Sequence, residues 1–350
     1  MNLTYSHGVS VVICCYNSAS RLPKTLNHLL KQDAPADLPW EVIIVDNACT
    51  DNTAQVACSC WLDDAPVPLR VISEPKPGLS HARKRGFQEA RYDLVSFVDD
   101  DNWLNPHYIR LVADIMAIHP ELGACGGRTE AVFETEPPFW FERFKHHFAV
   151  GTQAEKSGDI TIMPGHLWGA GLTIRKKAWE QLIAEGFQSI LSGRRGTSLT
   201  SGEDYEICYA LHLAGWRLWY EPDLFLQHFM PAGRINWDYM RRLNRGHGIT
   251  RVGIEPYEFA LNGSSQRLVR IAGRIWVWQA IKTTGKLLLW HGWDWIHSLW
   301  RNTEGDLRIL SAEYQFGRLV EILRKRSDYD RSVSTVWSAK YCRKPVNTDE

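Results

Sequence analysis

Three consecutive acidic residues, Asp99, Asp100 and Asp101, directly follow the apolar segment Leu94–Val98. Adjacent carboxylates repel one another and lose hydration when they are held together, so such a triplet is costly unless it binds a cation. Alternate residues of an extended chain point the same way, which predicts that Asp99 and Asp101 converge while Asp100 points elsewhere. Converging carboxylates, completed by phosphate oxygens, are suitable ligands for Mg²⁺ or Mn²⁺. The alternative is a helix start, which explains Asp101 as a cap but not three acids in a row.

Polar residues also follow two earlier apolar segments. Tyr16 and Asn17 come after Val9–Cys15, and Asp46 comes after Trp40–Val45. Ligands of an open parallel sheet bind beyond the carboxyl ends of its strands. We therefore expect these residues and the acidic triplet to share one ligand-binding edge.

A second acidic pair, Glu203 and Asp204, follows a polar loop and begins a predicted helix. An ionised carboxylate at this position can act as a general base, with Asp204 as the first candidate and Glu203 as the second. The competing interpretation is a cap at the helix start. In the preceding loop, Arg194 and Arg195 could contact a diphosphate or lie solvated on the surface.

Three further side chains have both a functional and a structural interpretation. Arg83 could meet a diphosphate or remain solvated. His228 ends a predicted strand near the same edge and could bind a metal or a phosphate, whereas a single histidine is more often structural. Trp168 could stack on a sugar, and its alternative is packing in the core.

Alternating strand and helix patterns predict an α/β fold with a doubly wound, mostly parallel sheet. The predicted strands are 9–15, 40–45, 69–72, 94–98, 168–174, 216–220 and 224–228. The predicted helices are 20–31, 51–60, 79–91, 106–118, 175–184 and 203–214. From residue 234 the pattern is mostly helical, and periodicity is lost after 326. These changes predict a catalytic domain at 1–233, a helical region at 234–326 and a loose tail at 327–350.

Composition excludes several classes of protein. The chain has 350 residues, 44% of them hydrophobic, with 40 basic and 40 acidic side chains. This balance is typical of a globular protein and offers no argument for a nucleic-acid partner. The eight cysteines lack the paired spacing of a zinc site, and the first eight residues lack an apolar signal core. We expect reduced thiols and a cytoplasmic protein.

The middle of the helical region is rich in tryptophan and basic residues. Six tryptophans are concentrated there, at positions 276, 278, 290, 293, 295 and 300. Tryptophan together with Lys and Arg is typical of a membrane interface. One hypothesis is peripheral attachment to the inner face of the cell membrane beside a lipid-linked acceptor. The alternative is a helical cap packed on the sheet.

Several segments, taken in order, resemble family 2 glycosyltransferases. They are Val11–Asn17, Val42–Asp51, Lys76–Arg83, Phe97–Asn102, Gly169–Arg175, Ser192–Asp204 and Gly215–His228. Each segment alone is a weak signal, but their order over roughly residues 9–250 is specific. The resemblance implies a GT-A fold with a helical C-terminal extension.

The resemblance also implies a nucleotide-diphospho-sugar donor, a divalent metal bound at a DXD motif, and inversion at the anomeric carbon. By position, Asp46 resembles the acid that contacts the donor base, and Asp99 resembles the acid near the ribose. Asp101 resembles the metal ligand, and Asp204 resembles the general base. Asn102 departs from the pattern, because many members carry another Asp there, and this leaves donor preference open.

These observations predict an inverting glycosyltransferase that acts on a glycan or lipid-linked acceptor in polysaccharide or glycolipid biosynthesis. An inactive sugar-binding or glycan-assembly module is the non-enzyme alternative. A sugar-nucleotide pyrophosphorylase would need a glycine-rich loop after the first strand, and Cys14–Asn17 contains no glycine. The donor sugar, the acceptor and the linkage depend on pocket shape and stay open.

Overall fold

The computed structural model describes residues 8–191, 199–263, 274–291 and 303–343. The chain forms two compact units, and each unit is assembled from separated stretches. The first unit comprises 1–134, 148–181 and 216–230, and the second comprises 135–147, 182–215 and 231–350. This interleaved division differs from the predicted boundaries after residues 233 and 326.

One mixed sheet forms the centre of the first unit. Its strands are β1 (Val9–Cys15), β2 (Trp40–Asn47), β3 (Leu69–Glu74), β4 (Leu94–Val98), β5 (Asn102–Leu104), β6 (Leu122–Phe133), β7 (Gly158–Asp159), β8 (Thr173–Arg175) and β9 (Arg217–Met230). They lie in the order β3-β2-β1-β4-β8-β6-β9-β5, with β7 paired to β9. Strands β1 to β4 are mutually parallel, whereas β8 is antiparallel to both β4 and β6. The predicted α/β class with a mostly parallel sheet is confirmed.

Helices connect and cover these strands. In chain order they are α1 (Leu22–Leu30), α2 (Thr53–Cys60), α3 (Leu79–Glu89), α4 (Tyr108–Ile118), α5 (Phe141–Phe144), α6 (Lys176–Ala184), α7 (Glu203–Leu213), α8 (Trp237–Leu261), α9 (Ile275–Lys286), α10 (Leu307–Arg324) and α11 (Arg326–Ser338). None of the helices among the described residues is both long and apolar enough to cross a bilayer.

The core of the first unit lies between the parallel strands and their helices. Leu22, Leu26 and Leu29 share one face of α1 and are fully buried with the apolar residues of β1 and β2. On α3, a Cβ atom at Gly86 would lie 2.4 Å from a methyl group of Val12, so this position admits only glycine at the observed helix–strand distance. Such close packing places the strand ends accurately, which is what a binding edge requires.

Two predicted strand assignments in the first unit are wrong. The predicted strands 216–220 and 224–228 form one strand, β9, because a bulge opposite Gly126–Arg128 of β6 accommodates Pro222. The predicted strand 168–174 is reduced to β8, because the chain turns at Gly171, whose φ of +75° lies in the left-handed region. The Tyr108 hydroxyl donates a hydrogen bond of 2.6 Å to the Gly171 carbonyl and holds this turn.

The second unit is helical, as the sequence predicted from residue 234 onward. Helices α8 and α10 approach closely, since a Cβ atom at Gly248 would lie 2.0 Å from the Tyr314 carbonyl oxygen. Between them, the buried carboxylate of Glu313 forms ion pairs with Arg241 at 2.8 Å and Arg245 at 2.6 Å.

The predicted loose tail is wrong over its first half. Helix α11 spans Arg326–Ser338, and Tyr329, Val333 and Val336 lie buried along one of its faces. The connection to α10 is a single residue, Lys325, and many residues of α11 are polar, so the sequence obscures this spacing. Residues 344–350 lie outside the described residues.

Candidate active site

The acidic triplet lies at the carboxyl end of β4, as the sequence predicted, but its backbone is not extended. The Asn102 amide donates a hydrogen bond of 3.0 Å to the Asp99 carbonyl, and the Asn102 side chain accepts one from the Asp99 amide at 3.2 Å. These bonds close a tight turn between β4 and β5. The premise that residues two apart point the same way here is therefore wrong, because it applies only to an extended chain.

Asp100 is bonded by Thr25 of helix α1 and by Arg21, the residue that precedes this helix. Its carboxylate accepts a hydrogen bond of 2.6 Å from the Arg21 guanidinium, and its carbonyl accepts one of 2.8 Å from the Thr25 hydroxyl. Burial raises the pKa of Asp100, the neighbouring charge of Asp101 raises it further, and Arg21 opposes both effects. Asp100 thus anchors the turn. Sequence analysis missed Arg21 and Thr25, although their separation by four residues places both on one helical face.

Asp101 faces His228 across the pair of strands β5 and β9. Asn102 is directly opposite His228 in this antiparallel register, and the Asp101 carbonyl accepts a hydrogen bond of 2.9 Å from the Phe229 amide. The Asp101 carboxylate oxygen lies 3.6 Å from Nε2 of His228. Their exposed fractions are only 2% and 9%. Two of the predicted metal ligands are therefore neighbours, while Asp99 lies half-buried on the same turn.

The ends of β1 and β2 form the adjoining part of this edge. Asn17, at a φ of +51°, accepts a hydrogen bond of 2.8 Å from the Thr50 amide. Asp46 accepts one of 3.0 Å from the Cys49 amide, and the Asn17 amide donates one of 3.3 Å to the Cys49 sulfur. These bonds tie the two strand ends together. Tyr16 is exposed beside them.

Asp51 is a further site residue whose structural role sequence analysis did not assign. Its carboxylate accepts hydrogen bonds from the Ala19 amide at 3.1 Å and the Thr53 amide at 3.1 Å. Partial burial opposes ionisation, but the hydrogen bonds from Thr53 and Ala19 outweigh it and lower the pKa of Asp51. The ionised Asp51 thus links the loop after β1 to the start of α2.

Arg83 and Trp168 both contact other residues of the first unit. The Arg83 guanidinium lies 5.6 Å from the centre of the Phe97 ring, on a strand of the sheet. Trp168 is only 8% exposed, and its amide donates a hydrogen bond of 2.6 Å to the Gln153 side chain, which in turn donates one to the Gly127 carbonyl. Roles for Arg83 at a diphosphate and for Trp168 at a sugar stay predictions.

The second acidic pair begins helix α7 of the second unit. Gly202, at a φ of +100°, turns the chain into the helix. Glu203 is only 4% exposed, whereas Asp204 is half-buried. Asp204 is thus the more accessible of the two candidate bases, and its role as the base stays a prediction. Arg194 and Arg195 lie outside the described residues.

The same segment contains a third acidic residue, Glu206, with a structural role. Its buried carboxylate accepts hydrogen bonds from the Ile190 amide at 2.6 Å and from the Tyr257 hydroxyl at 2.8 Å, and it also bonds Ser189. Burial raises the pKa of Glu206, and these hydrogen bonds oppose the increase. Glu206 therefore ties Ser189 and Ile190, which precede the polar loop, to helices α7 and α8.

Comparison with known proteins places the first unit in a family. Residues 10–182 match the sequence model of glycosyl transferase family 2. An uncharacterized glycosyltransferase of Nostoc sp., alr2836, is 30% identical over 115 residues, which cover 33% of this chain and 34% of that protein. The matched segment thus spans about a third of that curated relative.

Two solved structures share the fold over most of the chain. TarS 1–349 of S. aureus, in complex with UDP-GlcNAc, is 17% identical with a TM-score of 0.51 and covers 94% of this chain and 92% of that one. The mannosyltransferase PcManGT of Pyrobaculum calidifontis, in complex with GDP-Man and Mn²⁺, is 16% identical with a TM-score of 0.57 and covers 91% and 88%. These likenesses show the shared GT-A fold. Through residues 10–182, this chain belongs to glycosyl transferase family 2.

Proposed function

We propose that this protein is an inverting, metal-dependent glycosyltransferase that moves a sugar from a nucleotide-diphospho-sugar to a hydroxyl acceptor. The observation that carries the proposal is the buried Asp101 carboxylate facing the His228 imidazole at 3.6 Å. The pair lies at the carboxyl edge of a parallel sheet, where open α/β sheets bind ligands. Burying a carboxylate is costly, so its retention at this edge favours a bound cation.

The protein ligands at this edge fit a divalent cation whose remaining ligands come from the phosphates of the substrate. No group of three or more His, Cys, Asp or Glu side chains in the described part of the chain could hold a metal ion alone. Mg²⁺ and similar ions are often held by one or two carboxylates with substrate phosphates completing the shell. Asp101 and His228 would be the protein ligands, with Asp99 beside them, and the imidazole favours Mn²⁺ over Mg²⁺. The cation would stabilise the charge of the departing diphosphate.

The neighbouring strand ends would hold the nucleotide. Tyr16 and Asn17 follow β1, and Asp46 lies near the end of β2. Hydrogen bonds fix Asp46 and Asn17. The two similar proteins are in complex with UDP-GlcNAc and with GDP-Man, which supports a nucleotide-diphospho-sugar as the donor class. The acceptor is a hydroxyl of a glycan or lipid-linked sugar.

Asp204 would take the proton from the acceptor hydroxyl. It is the less buried of the two acids that begin α7. Removal of this proton makes the oxygen a stronger nucleophile, and direct displacement by that oxygen inverts the anomeric carbon. Glu203 is the alternative base.

Donor binding and transfer test these assignments separately. We would measure thermal shifts with UDP-, GDP- and dTDP-sugars, with and without Mn²⁺, for wild type, Asp101→Asn and a control, Asp159→Asn. Asp159 is a carboxylate of the same unit that pairs with Arg217. We expect the Mn²⁺-dependent shift in wild type and in the control but not in Asp101→Asn. A shift that persists in Asp101→Asn would refute the metal assignment.

Asp204→Asn separates the enzyme from a sugar-binding module. We expect this variant to keep the donor-induced shift and to lose transfer and donor hydrolysis by roughly 100-fold or more. Full turnover in Asp204→Asn would assign the base elsewhere, with Glu203→Gln as the next variant. Donor binding by wild type with no turnover on any acceptor tested would favour the inactive module.

A further inference from the structure

Helix α9 and the turn that follows it present large apolar side chains to solvent. Trp278, Ile281, Leu288 and Leu289 are between 59% and 82% exposed. Residues separated by three or seven positions share one face of a helix. These four side chains therefore form one stripe, which we call the Trp278 face.

The opposite side of the same helix is packed inside the second unit. Ile275, Thr283 and Leu287 are buried, and the Trp276 amide donates a hydrogen bond of 3.1 Å to Asp330 of α11. The helix is thus held in place by one face while its other apolar face remains exposed. An exposed stripe of this kind marks an interaction surface.

Basic residues border the Trp278 face. Arg274 and Lys282 are exposed, and Lys286 is half-buried, whereas residues 274–291 contain no Asp or Glu. The acids packed against this helix from other elements are already engaged, since Asp330 accepts from Trp276 and Glu255 pairs with Arg318 at 2.6 Å. The charged side chains of the segment 274–291 itself are therefore all basic.

We propose that the Trp278 face docks on an anionic lipid surface. Tryptophan and leucine side chains suit the boundary between headgroups and acyl chains, and flanking Lys and Arg residues are attracted to anionic headgroups. A twofold contact between two copies would instead bring the basic residues of both copies to one interface, with repulsion between like charges. This inference adds a partner and does not depend on the proposed transfer activity.

Vesicle sedimentation of the full chain tests the proposal. We would compare phosphatidylcholine vesicles with vesicles that contain roughly a third phosphatidylglycerol. We expect binding to the anionic vesicles, and Trp278→Gln with Leu289→Gln should weaken it roughly tenfold or more. Lys282→Gln should weaken binding to anionic vesicles about fivefold, with little effect on neutral ones.

A matched control replaces two exposed apolar side chains of the first unit. Leu62 and Ile118 are 65% and 61% exposed, and Leu62→Gln with Ile118→Gln should leave vesicle binding unchanged. Absence of wild-type binding to anionic vesicles would overturn the proposal, and so would equal loss in the control. A dimer seen by sedimentation velocity and abolished by Trp278→Gln with Leu289→Gln would assign the face to self-association instead. Donor-induced thermal shifts should be the same in all these variants.

Discussion

Replacement of Arg21 by methionine would leave a buried charge beneath the acidic turn. The Arg21 guanidinium lies 2.6 Å from the Asp100 carboxylate, which is largely buried. Methionine keeps much of the apolar stem and removes the charge. We therefore expect Arg21→Met to lower the free energy of unfolding and to loosen the turn that carries Asp101.

The size of this loss follows from the exposure of the pair. Removing one partner of a fully buried ion pair costs about 3–5 kcal/mol, whereas an exposed pair contributes about 0–1 kcal/mol. The Arg21 side chain is 31% exposed and that of Asp100 is 12% exposed. The pair lies between these limits, so we expect a loss of about 2 kcal/mol near neutral pH.

The loss should depend on pH with a defined sign. Burial, reinforced by the Asp101 charge, raises the pKa of Asp100 above its unfolded value. The native state therefore keeps this proton to higher pH, and the free energy of unfolding falls as pH rises through the folded pKa. Without Arg21 the folded pKa rises further. Because the raised pKa favours protonation of Asp100 at lower pH, Arg21→Met should cost less at about pH 5 than at about pH 8.

Urea unfolding at both pH values measures these quantities. The set comprises wild type, Arg21→Met, Asp100→Asn and the double variant, with Arg217→Met as the control. Arg217 also contacts its partner, Asp159, at 2.6 Å but is 61% exposed, so its loss should stay below about 1 kcal/mol. Equal losses from Arg21→Met at the two pH values, or the same loss when Asp100 is already Asn, would refute the reasoning.

Two further predictions concern the second unit. Tyr257→Phe removes a hydrogen bond of 2.8 Å to the buried Glu206 and should lower the free energy of unfolding by about 1–2 kcal/mol. Because burial raises the pKa of Glu206, this loss should be larger at about pH 8 than at about pH 5 in urea unfolding, and a constant loss would contradict the assignment. Gly248→Ala places a Cβ atom 2.0 Å from the Tyr314 carbonyl oxygen and should cost about 1–3 kcal/mol by the same measurement. Gly285→Ala is its control, because nothing lies within 4 Å of the added Cβ atom, and it should stabilise the helix by about 1 kcal/mol; similar effects of the two substitutions would argue against close packing at Gly248.

Local patterns were sufficient for the parallel part of the sheet. The strands Val9–Cys15 and Leu94–Val98 agree with the prediction at both ends. Each is a short apolar run that ends at polar residues, and a strand buried on both faces requires such a run. The candidate residues at these ends follow directly from the strand boundaries.

Local patterns failed where distant contacts decide the backbone. The segment 99–102 looks like a continuation of a strand, but hydrogen bonds of Asn102 close it into a turn. Strand β9 continues through Pro222 because the chain bulges there, opposite Gly126–Arg128 of β6. Helix α11 is polar over most of its surface, and two of its buried residues, Tyr329 and Val333, pack in an apolar cluster of the second unit.

The sequence alone determined that carboxylates stand at the ends of buried strands, because strand length and alternation are local properties of the chain. The sequence could not determine which partner each acidic side chain contacts. Asp100 pairs with Arg21, 79 residues away, and Asp101 faces His228, which belongs to another strand of the sheet. These pairings depend on the order of the strands and on the register of β5 against β9. Only the tertiary structure therefore distinguished the acid that anchors the turn from the acid that faces His228.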